Sequence, residues 1–305
     1  MKSNMFLLLA ALIWGFAFVA QRVGMDHVGP YTFNGIRFAL GALSLIPLLL
    51  FLPKNESVTA EKSGTKITKP SAVKIGLLAG CILFPAASLQ QIGLLYTTAG
   101  KAAFVTCLYI VLVPILGIFL KQATTINTWL GTALAAFGLY FLCVKETLTI
   151  SPGDFLVLIG ALFWSCHILL IDRYAGHIDT VKLAFVQFST CSLFSLLAAL
   201  FLENITVSGI QGAAVPLLYG GVCSVGIAYT LQIVGQKGSS PSHAAIILSM
   251  ETVFATLGGY LILDEKLGFT EWIGCALMFA GMLISQLKVF HFKEKLNHSH
   301  SSSKA

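Results

Sequence analysis

Residues 5–15 read Met5-Phe6-Leu7-Leu8-Leu9-Ala10-Ala11-Leu12-Ile13-Trp14-Gly15, and a shift of 150 positions lays Ala11-Leu12-Ile13-Trp14 on Ala161-Leu162-Phe163-Trp164. The same shift places Phe38 on Phe188 and Phe51 on Phe201. A shift of 143 lays Trp129-Leu130-Gly131 on Trp272-Ile273-Gly274 and Gly138 on Gly281. All four tryptophans thus fall into two matched pairs, the mark of a duplicated unit. Of the 305 residues, 56% are apolar and only 10% charged, against roughly 25% charged in soluble domains. The duplicated unit is therefore a membrane one.

Apolar runs between polar or turn-rich breaks predict helices over residues 5–21, 31–52, 75–95, 102–120, 126–144, 155–172, 183–202, 213–234, 241–263 and 269–287. Ten crossings of a ~30 Å hydrocarbon core at ~20 residues each leave no room for a soluble catalytic domain. Five spans per copy is an odd number, so the second copy enters the bilayer from the opposite side. The expected fold is an all-α polytopic membrane protein of ten transmembrane helices in two inverted five-helix repeats, residues 1–146 and 147–288, followed by a disordered tail over 289–305. Only the polar stretch 53–74 makes a long connection.

Charge sets the orientation. With the N-terminus inside, the cytoplasmic segments hold fourteen of the 19 Lys and Arg and the opposite side four, while Arg37 lies within the second span. That bias puts both termini in the cytoplasm. The net charge of +6 gathers in one loop and the tail, as solvated flanks do, so nucleic acid is not an expected partner. The seven cysteines lie in apolar runs without a CxxC pair or metal-ligand spacing, so they read as packing residues, and no metal or cofactor is expected. The first span has the charged start of a signal peptide but lacks a small-residue cleavage site, and its repeat mate marks it as a retained helix.

The chain resembles the EamA-type family of drug/metabolite transporters. The residues that carry the likeness are Ala11-Leu12-Ile13-Trp14-Gly15, the Gly-Lys-Ala-Ala-Phe run at 100–104, Leu112-Val113-Pro114, Met250-Glu251-Thr252-Val253, and Asp264-Glu265-Lys266-Leu267 ahead of Trp272-Ile273-Gly274. It departs where Thr252 replaces the family's usual Pro and Lys121-Gln122 its usual Glu-Arg. The resemblance implies spans one to four and six to nine around a central cavity, with spans five and ten outside it. It also implies export of amino acids or related metabolites across a bacterial plasma membrane.

Depth selects the residues that carry chemistry. At 1.5 Å per residue, Trp14 and Trp164 each lie nine residues from a span end, near the middle of the core and too deep for an aromatic belt. Tight packing and cavity lining both remain open for them. Twelve of the thirteen acidic residues fall in loops, in the tail or near span ends, whereas Glu251 lies one residue from the centre of span nine. A charge there costs roughly 2.5 to 3.5 kcal/mol on insertion scales, so it must be partnered, wetted by a cavity, or carry a proton. It is a candidate for proton coupling or for contact with a substrate ammonium, beside the plainer reading of a structural hydrogen bond. Arg37 either snorkels from span two or joins the cavity. Gln90 and Gln91 in span three, and Gln187, the repeat mate of Arg37, complete a candidate substrate-binding lining for a zwitterion. His167 is a second proton-coupling candidate, with buried packing as the alternative.

Gly76-x-x-x-Gly80 and Gly131-x-x-x-Ala135 permit close helix contact, and the latter leaves a homodimer face open. Pro47, Pro85 and Pro114 lie inside first-half spans, while Pro216 and Pro241 open second-half spans, which predicts asymmetric gating. No protease, hydrolase or phosphate-cradling motif is present, so an intramembrane enzyme, a receptor and direct ATP drive all rank low. A nucleotide-sugar or other organic-anion carrier would need several cavity cations, and only Arg37 qualifies. The sequence thus predicts a secondary carrier for a small metabolite, working by alternating access in the lipid bilayer.

Overall fold

Because lipid offers no hydrogen bonds, a chain this apolar must satisfy its backbone internally, and helices do so within each segment. The computed structural model describes residues 2–51, 71–96, 99–122, 124–143, 152–262 and 268–287, and every regular element among them is helical. The expected tail, the Asp264-Glu265-Lys266-Leu267 stretch and most of the 53–74 connection lie outside the described residues.

The first half comprises α1 (Lys2–Gly24), α2 (Pro30–Phe51), α3 (Ala72–Gly93), α4 (Ala99–Cys107), α5 (Tyr109–Phe119) and α6 (Ile126–Cys143). The second comprises α7 (Pro152–Ala175), α8 (Thr180–Leu202), the short α9 (Val207–Gly212) and α10 (Ala214–Leu218), then a π-helical stretch (Tyr219–Tyr229). It continues with α11 (Thr230–Gln236), α12 (Pro241–Leu248), α13 (Met250–Ile262) and α14 (Phe269–Gln286). Seven segments are long and apolar enough to cross a membrane, and they match the expected spans one to four and six to eight. The chain is a multi-pass membrane protein. The expected fifth, ninth and tenth spans are helical too, but shorter or interrupted among the described residues.

Three expected spans are not single α-helices. Span four is interrupted at Leu108, whose N–H donates to Val105 O (3.2 Å) while its own carbonyl accepts from Val111 N (3.0 Å). Span nine is interrupted at Ser249, where Thr252 N donates to Ser249 O (3.1 Å). Both are i→i+3 bonds, tighter than the α ladder, of the kind that marks hinges within helices. Span eight is divided between α10, the π-helical stretch and α11.

Packing follows from small residues. α2 runs antiparallel to α8, with Phe38 on Phe188 (6.2 Å between rings) and Ser192 Oγ donating to Gly35 O (2.8 Å). α3 lies parallel to α8, Gly76 against Val186 and Gly80 against Thr190, and antiparallel to α7, Gly93 against Val157 and Gly160 against Ala86. α1 runs antiparallel to the π-helical stretch and α11, with Tyr219 donating to Ile13 O (3.0 Å) and Gly235 against Leu7. α2 runs parallel to the π-helical stretch, Gly41 against Val225 and Ser44 against Gly226. α6 and α14 form an antiparallel pair of their own: a Cβ on Gly131 would lie 2.7 Å from Gly281 O, and one on Gly138 2.7 Å from Gly274 O. The Gly131-x-x-x-Ala135 face, expected as a dimer surface, is therefore covered by α14 of the same chain, and Ala135 is fully buried.

The first turn of α2 is capped from the other half. Glu203, at the end of α8, accepts from Tyr31 N (2.7 Å), Thr32 N (2.8 Å) and Thr32 Oγ1 (2.7 Å). α8 is capped by its own Asp179, which accepts from Val181 N and Lys182 N.

Candidate functional site

Where α1, α2, α3, α4, α5 and α7 meet the π-helical stretch and α11–α13, a cavity opens in the bundle. Five of the expected residues line it: Trp14, Arg37, Gln90, Trp164 and Glu251. They come from five different helices. Among the lining residues that depth reasoning passed over are Thr106, Tyr109, Ser224, Tyr229 and Gln232.

One wall is aromatic. Tyr229, at the end of the π-helical stretch, stands between the two repeat-mate tryptophans, its ring 4.7 Å from Trp14 edge to face and 6.0 Å from Trp164 nearly parallel. Phe38 (6.1 Å) and Phe188 (5.7 Å) back the same ring. Both indoles are anchored by their one donor. Trp14 Nε1 donates to Ser224 O (3.1 Å) and Trp164 Nε1 to Gln90 Oε1 (3.0 Å). Gln90 in turn donates through Nε2 to Gln21 Oε1 (3.3 Å). Of the two readings for these tryptophans, each ring both packs and faces the cavity.

Arg37 does not snorkel. It is only 3% exposed, its guanidinium carbon lies 5.0 Å from the Phe38 ring centre and 5.8 Å from that of Phe33, and its Nε has no hydrogen-bond partner among the described residues. The rings supply a face of negative potential for the cation. Arg37 and Glu251 share the cavity, and no ion pair joins the two.

Glu251 is held by the opposite half. Tyr109 donates to its Oε1 (3.0 Å), and Cys107 Sγ lies 3.4 Å from the same oxygen. Cys107 Sγ also lies 2.7 Å from Thr252 Oγ1, the hydroxyl that stands where the resembled family has proline. On the far side Gly15 brings α1 against α13: a Cβ there would fall 2.8 Å from Glu251 O and 2.5 Å from Phe254 Cβ. Nothing larger than glycine fits without displacement.

The remaining expected residues lie off the cavity wall. Gln91 is fully buried, and neither of its amide atoms has a partner among the described residues. Adjacent helical residues point about 100° apart, and here Gln90 faces the cavity while Gln91 turns away from it. Gln187 and His167 are fully buried against each other, Gln187 Oε1 3.1 Å from His167 Nε2, and His167 Nδ1 is unpartnered. Neither Gln187 nor Gln91 is among the residues lining this cavity. Three lining residues present unpartnered buried polar atoms instead: Arg37 Nε, Thr106 Oγ1 and Gln232 Oε1. No group of three or more His, Cys, Asp or Glu among the described residues is arranged to hold a metal ion.

Comparison with known proteins places this architecture. The model of the EamA-like transporter family matches the chain twice, over residues 1–144 and 151–286. An uncharacterized transporter of Archaeoglobus fulgidus is 31% identical over 94% of this chain and 86% of its own length. The uncharacterized transporter YoaV of Bacillus subtilis is 23% identical, covering 93% and 96%. The uncharacterized inner membrane transporter YedA of Escherichia coli K12 is also 23% identical, covering 93% and 90%. A crystal structure aligns over 93% of this chain and 98% of its own with a TM-score of 0.76 at 18% identity, a likeness of fold.

Proposed function

This chain belongs to the EamA-like transporter family, and on that premise we propose that it carries a small zwitterionic metabolite, an amino acid or a relative, by alternating access through the Trp14–Trp164 cavity. The observation that carries the reading is the pair of opposite charges in one cavity. Arg37 and Glu251 both line it and do not touch, which suits a solute that brings a carboxylate to one and an ammonium to the other. The aromatic wall of Trp14, Tyr229 and Trp164 suits the solute's apolar or flat part.

Two inverted five-span repeats, about 1–146 and 147–288, supply the mechanism. Helix contacts support the inversion: the repeat mates α2 and α8 run antiparallel, as do α6 and α14, and exchanging each element for its mate turns the antiparallel α3–α7 contact into that of α1 with the span-eight elements, also antiparallel. The parallel α3–α8 contact likewise becomes the parallel contact of α2 with the π-helical stretch. Two-fold pairs of this kind around a midplane site are how secondary carriers exchange inward and outward access. Glu251 takes up and releases the coupling proton, and export from a bacterial plasma membrane with both termini cytoplasmic is the direction of travel. His167, locked to Gln187, has the weaker claim to the proton. A carrier for a multiply charged organic anion fits less well, since one arginine faces one carboxylate across the cavity.

The test is flux of a panel of radiolabelled amino acids into proteoliposomes, with and without a pH gradient, for wild type and Glu251→Gln. At least one amino acid should respond to the gradient in wild type and lose that response in the variant. An unchanged rate and pH response in Glu251→Gln would overturn the coupling assignment.

A further inference from the structure

The interruption of span four has a geometric consequence at the cavity. In an unbroken α-helix residues two apart point about 200° away from each other, so Cys107 and Tyr109 would face opposite sides. Across the interruption at Leu108 both side chains nevertheless reach the same carboxylate oxygen of Glu251, Tyr109 Oη at 3.0 Å and Cys107 Sγ at 3.4 Å. Cys107 Sγ also lies 3.7 Å from Ser249 O, the carbonyl of the interruption in the partner span. Thus the residues flanking one break grip the residues at and just past the other. The cluster is buried: Cys107 is fully buried, Thr252 is 1% exposed, Tyr109 4% and Glu251 5%.

No cation reaches Glu251 among the described residues, so its charge rests on these donors. The titratable and charged groups facing it from neighbouring elements are Cys107 of α4, Tyr109 of α5 and, across the cavity, Arg37 of α2 and Tyr229 of the π-helical stretch. α1 brings uncharged Trp14 and Gly15 to this level. On the remaining packed elements, His243 of α12 is turned to Ser285 of α14 (3.0 Å), and Cys275 of α14 packs in the apolar core.

We infer that Tyr109 and Cys107 are positioning residues for Glu251, set by the Leu108 break so that the first repeat controls how readily the second repeat's carboxylate takes up a proton. The inference rests on the reading of Glu251 as the coupling group. A donor to a carboxylate stabilises the charged form, so Tyr109 and Cys107 hold the proton off until helix movement at the two breaks withdraws them. Because the donors and the carboxylate lie on opposite repeats, any relative motion of the halves changes proton affinity.

Infrared difference spectroscopy of purified protein in nanodiscs tests this without knowing the solute. The protonated-carboxyl stretch that vanishes in Glu251→Gln is titrated with pH. Tyr109→Phe should move its midpoint about one pH unit higher, roughly tenfold in proton affinity. Cys107→Ala should shift it less in the same direction, and Cys107→Ser should restore the wild-type midpoint. If Tyr109→Phe is not recovered folded, the Cys107 pair decides the matter alone. A midpoint unchanged in Tyr109→Phe and Cys107→Ala, or no band dependent on Glu251 at any pH, would overturn the inference. A shifted midpoint in protein that moves no amino acid across a liposome would leave the positioning role standing and overturn the proposed solute.

Discussion

α6 with α14, and α4/α5 with α12/α13, both bring repeat mates together, yet the two meetings are built on opposite principles. Between α6 and α14 the helices are continuous and glycines let backbone touch backbone. Between the interrupted spans the contact is made by polar side chains, Tyr109, Cys107, Glu251 and Thr252, at breaks in the helices. The first arrangement is a seam that resists movement, since close-packed interiors do not deform gradually. The second is a clasp of a few hydrogen bonds whose partners can be exchanged. A carrier needs both, a fixed frame and a centre with two stable arrangements.

Substitutions can break this contrast in order of expected size. Gly131→Leu drives a side chain into the Gly281 carbonyl and Ser285, so detergent-solubilised protein should lose about 3 kcal/mol of stability, at the upper end for overpacking. A variant as stable as wild type would show that the seam is not the frame. Glu203→Ala strips the acceptor from Tyr31 N and from both Thr32 donors, and chemical denaturation should register about 2 kcal/mol. Trp14→Phe keeps the aromatic wall but removes the bond to Ser224 O, with a loss of about 1 kcal/mol. Trp272→Phe, on α14 and 55% exposed, should change stability by less than about 0.5 kcal/mol. Tyr109→Phe belongs to the other side of the contrast: its signature is a displaced pH profile rather than a lower melting point.

Much of this was legible in the sequence because membranes punish exceptions. A carboxylate and two tryptophans at mid-depth stand out from an apolar background, and Glu251, Trp14 and Trp164 do line the cavity. Arg37 and Gln90 were legible for the same reason. The positions passed over are of two kinds. Thr106 and Gln232 are polar residues near span ends, where polarity carries no signal. Tyr109 and Tyr229 count among the apolar residues; depth, the criterion that selected Trp14, would have found Tyr109, seven residues inside span four, but not Tyr229, five residues from the end of span eight. The breaks at Leu108 and Ser249 left no trace, because neither lies at Gly or Pro and the surrounding runs, Thr106-Cys107-Leu108-Tyr109 and Leu248-Ser249-Met250, read as ordinary helix. The repeat mates diverge here: Arg37 meets the cavity, while Gln187 turns to His167. The prolines at 47, 85 and 114 lie inside α2, α3 and α5 as expected, but both breaks fall elsewhere.

The central claim is that the cavity between the two halves is the path of the solute. Single cysteines at Thr106 and Gln232, with the cysteines other than Cys107 replaced, can be offered a membrane-impermeant thiol reagent from either face of sealed vesicles. The account predicts labelling of both positions from each face in turn, slowed by any amino acid that the protein transports. Labelling of either position from one face alone under all conditions, or labelling indifferent to transported amino acids, would contradict it.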